Sequence, residues 1–250
     1  MGEQLINRRV DMQDNHYASS ASIRDAAIDT GLRSYMLGVY NHMTTALALT
    51  GFAAFGTKLA VSSIPALGMA LFGSPLQYVV MFAPLAMVMW LSFSINSMSP
   101  SKARGLFYAY ALVMGVSLST ILFAFTGASV ARAFFITAGA FAALSIYGYS
   151  TKRDLSALGA FLIVGVVGLL LASIVNIFVG SAGLEFMISV VGVLLFAGLT
   201  AYDTQKIKSM YHAGDDKATA ARKSIFGALT LYLDFINMFL FLVRLIGNRE

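Results

Sequence analysis

The stretch Ile225–Ile246 reads IFGALTLYLDFINMFLFLVRLI. An apolar run of about 20 residues is the length a helix needs to cross a bilayer. Near its middle stands an acid, Asp234. With Lys223 at the interface, Asp234 lies about 16 Å deeper at 1.5 Å per residue. A second acid, Asp203, ends the apolar run Phe186–Ala201. A carboxylate in hydrocarbon costs several kcal/mol unless it is paired, protonated or wetted, so each acid is a functional candidate by default.

The rest of the chain repeats the pattern without the acids. Of its 250 residues 58% are hydrophobic and 12% charged, against about 25% charged in an ordinary soluble domain. Mean hydropathy is +0.76. Seven spans are expected: Tyr35–Thr57, Leu76–Ser97, Gly105–Thr126, Ala133–Tyr149, Leu155–Val179, Leu184–Gln205 and Ile225–Gly247. The runs are continuously apolar rather than alternating, which excludes a membrane β-barrel. The expected fold is all-α and polytopic: residues 34–250 form a seven-helix transmembrane domain, after a polar N-terminal tail at 1–33. Asp11, Asp14, Asp25 and Asp29 interrupt that tail, which therefore does not read as a signal peptide. Ser22–Ala27 could form a short surface helix within an otherwise solvated arm.

Charge predicts the orientation. Thirteen of the seventeen basic residues fall in the tail and in the loops after spans two, four and six. Lys58, Arg132, Arg244 and Arg249 fall on the other side. The positive-inside rule then places the N-terminus in the cytoplasm and, after seven spans, the C-terminus outside. The net charge of +5 is a topology signal with some attraction to anionic headgroups. No aromatic-basic interleaving on a soluble surface points to nucleic acid. The chain has no cysteine, so disulfides, thiolate metal sites and thiol nucleophiles are excluded.

Other polar residues within the spans read as structural. His42, Asn41, Asn96 and Asn176 suit hydrogen bonds between helices or at their ends. Glu185 opens the sixth span, where a carboxylate meets the positive end of a helix dipole. Small residues four apart, Gly105 with Ala109, Gly115 with Ser119, Gly168 with Ala172 and Ala197 with Ala201, allow close helix crossings. The methionines read as core filler. Trp90 and the aromatic-rich spans give no cofactor box, and no bound cofactor is expected.

Whether the two acids meet depends on where span six ends. A helix continuing to about Tyr211 puts Asp203 roughly 12 Å inside the interface, level with Asp234. A helix leaving the membrane at Lys206 leaves Asp203 shallow. If they meet, both cannot ionise cheaply in a low-dielectric site, and one proton is shared. Such a pair senses pH, and when deprotonated offers hard oxygens suited to calcium.

Ala201-Tyr202-Asp203-Thr204-Gln205-Lys206-Ile207, followed by Leu231-Tyr232-Leu233-Asp234-Phe235-Ile236-Asn237, resembles the signature of the Bax inhibitor family, the transmembrane proteins with a Bax inhibitor motif. The likeness extends to Lys152-Arg153-Asp154-Leu155 and Phe241-Leu242-Val243-Arg244-Leu245, and the length, polar tail and lack of cysteine are similar to a bacterial branch. The resemblance implies a central helix wrapped by the others. It also implies a pH-sensitive calcium leak of the inner membrane, in which Asp203 and Asp234 form the ion- and proton-binding pair. Acid is expected to favour the open state, because a neutral pair loses its hold on nearby cations. One departure stands out. Bacterial relatives can carry an arginine after the second span that latches onto the sixth-span acid; here the stretch reads Asn96-Ser97-Met98-Ser99-Pro100-Ser101, with Lys102 and Arg104 the nearest cations.

Two other classes compete. An intramembrane aspartyl protease would match Tyr202-Asp203, but its second acid belongs in Gly-x-Gly-Asp, whereas Leu231-Tyr232-Leu233 precedes Asp234. A serine rhomboid would need a better motif than Gly115-Val116-Ser117-Leu118-Ser119 and a histidine in a later span. No enzymatic activity is therefore expected. The remaining alternative is an interaction protein that modulates a membrane protease or a cell-death regulator, docking through its tail and Lys208–Ser224.

Overall fold

A proline or an amide-capping side chain marks the start of most helices in a computed structural model of the chain. The structure describes residues 2–248, with side chains from Asp29 onward. Helix α1 runs Gly2–Ser63, and its part from Asp29 is long and apolar enough to cross a membrane. The expected tail at 1–33 lies largely outside the residues with described side chains. Next come α2 (Pro65–Phe72), α3 (Leu76–Ser94), α4 (Pro100–Ala124) and α5 (Gly127–Ser150). The chain ends with α6 (Ser156–Val179), α7 (Ala182–Ser209) and α8 (Lys217–Ile246). The side chains of Ser99, Thr126, Ser181 and Asp216 cap α4, α5, α7 and α8 by accepting backbone N–H groups. The fold is all-helical, with seven helices of membrane-spanning length and apolarity. Short α2, begun by Pro65, buries none of its residues.

The last helix is the centre. α1, α4, α5 and α7 pack directly on α8, whose most apolar window is the most buried of the seven. The wrapping is incomplete, because α3 packs on α4 and α6 on α7, one layer further out. Their exposed Phe93 and Phe178 point outward, as suits a lipid-facing surface.

Close approaches set how the helices seat. Gly115 of α4 lies against the backbone of Thr50 and Ala54 and the Cβ of Ala53 in α1, and Gly148 of α5 against the carbonyl of Ala201 in α7. Gly159 of α6 lies against the ring of Tyr202. Two of the small-residue pairs thus mark crossings. Gly105 and Gly168 do not: a side chain there would meet open space, because both sit on outward faces. Their spacing is no different from that of Gly115, so sequence could not separate them.

The two ends of the bundle are fastened differently. At the end rich in basic residues, Gln205 of α7 accepts the N–H of Leu155 at 2.9 Å and donates to the Arg153 carbonyl at 2.8 Å. Lys208 donates to the Tyr149 carbonyl at 2.8 Å, and Lys223 pairs with Asp215 at 2.6 Å while donating to the Met210 carbonyl. At the other end the Thr126 N–H donates to the Asn248 carbonyl, and the Asn248 N–H to Ser129 Oγ, both at 3.0 Å.

Gly148→Ala puts a methyl into the Ala201 carbonyl and should cost about 1–3 kcal/mol as an overpacked crossing. Gly139→Ala, with nothing within 4 Å of the added carbon, should leave stability unchanged or slightly raised. Thermal unfolding of both variants in detergent measures the difference.

Candidate functional site

The site is built by the antiparallel pairing of α7 and α8. Gly227 of α8 has no side chain to hold off Ile207 of α7. About four turns further along α8, the ring of Phe241 packs against Gly192 of α7 and stacks on Phe196 at 6.0 Å between centroids. Positions 227, 234 and 241 repeat every seven residues and so share one face of α8. That face meets 192, 196, 203 and 207 of α7. The register therefore sets Asp234 opposite Asp203.

The fork left by the sequence is settled by helix length. α7 continues past Lys206 to Ser209, so Asp203 lies well inside the helix rather than at its end. Lys206 is exposed, with its ammonium 5.7 Å from the Tyr202 ring centre, and Gln205 and Lys208 turn to strap the α5–α6 loop. These polar side chains end the hydropathy run without ending the helix.

Asp234 is 4% exposed, whereas Asp203 is half-buried. Their carboxyl groups lie within hydrogen-bonding reach of each other. Ionised carboxylates only accept, so this bond exists only with a proton between them. Without it Asp234 Oδ2 has no partner in the bundle. Neither acid is ion-paired among the described residues; the cation acting on Asp203 is Lys206, one turn along the same helix. The arginine latch that the sequence resemblance implies has no counterpart at Ser99, which caps α4 instead, and Lys102 and Arg104 are exposed.

Thr204, beside Asp203, donates to the Thr200 carbonyl at 2.7 Å and receives Ser145 of α5 at 3.2 Å. On the opposite side of α8, Thr50 donates its one proton to backbone carbonyls at 2.9 Å, leaving Tyr232 to donate to Thr50 at 2.7 Å. This node ties α1, α4 and α8 together, and sequence reasoning passed over Thr50. His42 bonds to Tyr108 at 2.8 Å and Asn176 accepts the Ser181 N–H, the structural roles expected of both. Glu185 stands in the first turn of α7.

Truncating either acid leaves the other without its partner. Asp203→Ala and Asp234→Ala should each lower the unfolding temperature, and the double variant should cost less than the sum. A coupling of about 0.5–3 kcal/mol from a double-mutant cycle is expected; additive losses would mean that the carboxyls do not interact.

Residues 32–250 match the sequence model of a family described as inhibitor of apoptosis-promoting Bax1. An uncharacterized protein of Rickettsia prowazekii is 46% identical over 227 residues, covering 91% of this chain and 94% of the relative. One from Caulobacter vibrioides is 44% identical over 247 residues, 94% of this chain and 97% of its own length. The inner membrane protein YbhL of Escherichia coli is 43% identical over 222 residues, 88% of this chain and 94% of YbhL.

Proposed function

This chain belongs to the Bax inhibitor family, and from that premise we propose that it is a passive calcium leak of a bacterial inner membrane, without enzymatic activity. The observation that carries the reading is the carboxyl pair Asp203–Asp234 inside a helix interface that is otherwise apolar. A buried acid pair is a costly way to join two helices, since apolar residues of similar volume would do so without desolvating a charge. It is well suited to a group that exchanges protons and divalent ions.

Calcium takes six to eight oxygens at about 2.3–2.6 Å, and two carboxylates offer at most four. Among the described residues no third histidine or acid joins them. That favours an ion in transit, still carrying water, over one held in place. Protonation removes the negative charge that attracts both calcium and Lys206. In the proposed gate, a neutral pair loses its hold on nearby cations, and flux rises toward acid.

The name of the Escherichia coli relative supports an inner-membrane location. The basic end of the bundle is proposed to be cytoplasmic. A reporter fused near Gly214 should then be active in the cytoplasm and one fused after Glu250 outside it. The reverse pattern would overturn the orientation.

Purified protein in liposomes should raise calcium permeability above that of empty liposomes, with a pH response between about pH 5 and 8. Asp203→Asn or Asp234→Asn should flatten that response. No flux at any pH would favour the alternative, a protein that modulates a membrane protease.

A further inference from the structure

α1 and α5 both pack on α8 but leave a groove between them, open toward the membrane. It has two lobes, of about 790 Å³ and about 490 Å³, which share Leu47, Phe134 and Phe235 as a waist. The rings of Phe134 and Phe235 pack edge-on at 5.6 Å, and Phe134 meets Phe239 at 6.4 Å. Along α1 the larger lobe runs from Arg33 to Leu47 and the smaller from Leu47 to Ser62. At 1.5 Å per residue each is roughly 20 Å long, the depth of one leaflet rather than of the whole bilayer.

This shape selects the occupant. A transmembrane helix, from a partner or a second copy, is about 10–12 Å across and would have to pass the aromatic waist. A flexible acyl chain confined to one leaflet meets no such obstacle, and each lobe has the volume of a small-molecule site. The walls are apolar along most of their length, and no carboxylate lines either lobe.

Charge distinguishes the lobes. Each has a cation toward its membrane-surface end, Arg33 in the larger and Lys58 in the smaller. Lys58 is committed, donating to the Leu122 carbonyl and sitting over the Phe123 ring. Arg33 is exposed and makes no hydrogen bond or ion pair among the described residues. Its planar fork suits a phosphate. Tyr149, near the end of α5, lines the same lobe, as an amphipathic ring does at headgroup level, and Lys208 lies 4.7 Å from the centre of its ring.

We propose that the larger lobe is a binding site for one anionic phospholipid, with an acyl chain between α1 and α5 and the phosphate on Arg33. Its inner wall includes Ser145, bonded to the neighbour of Asp203, and Phe235, the neighbour of Asp234. A bound chain therefore lies against the turns that carry both acids. The site does not depend on calcium conduction, and its test reads lipid alone.

The test is native mass spectrometry of the full-length protein in mild detergent, incubated with phosphatidylglycerol or phosphatidylcholine. The wild type should retain one phosphatidylglycerol per chain in preference to phosphatidylcholine. Arg33→Gln should weaken phosphatidylglycerol retention about tenfold, to the level of phosphatidylcholine. Ala142→Phe, which fills the lobe from α5, should reduce retention of both lipids. Unchanged unfolding temperatures would show that both variants are folded, and Arg33→Gln, at an exposed position, supplies the reading if Ala142→Phe is not. Equal retention of the two lipids, unaffected by Arg33→Gln, would reduce the groove to ordinary lipid contact and overturn the proposal. So would a dimer that excludes lipid and is broken by Ala142→Phe.

Discussion

A carboxyl group near the middle of the most buried helix is the constraint on which the bundle turns. Asp234 is only 4% exposed, so its neighbours must answer for it, and across the α7 face the carboxyl that does so is Asp203. The answer works only in one register. Gly227 and Gly192 allow α7 and α8 to close at two points either side of the acids, and a shift of one residue on either helix would swing a carboxyl off the shared face. The glycines and the acids are thus one device, with close packing fixing the depth at which two like-charged groups must share a proton.

The remaining buried polar groups follow a different rule. Thr50, Thr137, Thr200 and Thr204 each donate to the carbonyl one turn back, the local bond by which hydroxyls satisfy themselves inside a helix. Where such a hydroxyl also takes a partner from another helix, as Thr50 does from Tyr232 and Thr204 from Ser145, the cost of burying it is already met and the contact adds orientation. Asp234 has no comparable local solution, because a carboxylate cannot donate to its own helix. That difference sets Asp234 apart from the hydroxyls and is what the proposed exchange role rests on.

The seven spans were legible because hydropathy counts side chains, and apolar runs of sufficient length admit few other structures in lipid. Their ends were less so. α8 begins at Lys217, not near Ile225, and α1 continues to Ser63, because a helix persists wherever its backbone is bonded, whatever the side chains do. Helix α2 escaped notice for the opposite reason, being apolar but too short to span. Which helices touch α8 was not legible at all. Lipid tails are as apolar as leucine, so Phe235 at the core and Phe178 facing outward look alike in sequence. The acid pair stood out because a carboxylate does not blend into that background. Its meeting still required knowing that α7 outlasts Lys206.

The surroundings of the pair are unequal along the membrane normal. Away from the basic end, the α7–α8 seam is closed by Leu199, the stacked rings of Phe196 and Phe241, and Met238 on the core side of α8. Toward the basic end the same seam passes Asp203, which is half-buried, and then Gln205, Lys206 and Lys208 before the helix stops. A proton or hydrated ion moving between bulk water and Asp234 along this seam meets polar side chains on one side and packed rings on the other. In the proposed leak, exchange with the pair would be one-sided, with Asp203 as the outer group and Asp234 as the inner. In the same proposal, passage to the far side would require the stacked rings of Phe196 and Phe241 to part. The straps that Gln205 and Lys208 place on the α5–α6 loop tie down the end of α7 nearest the pair.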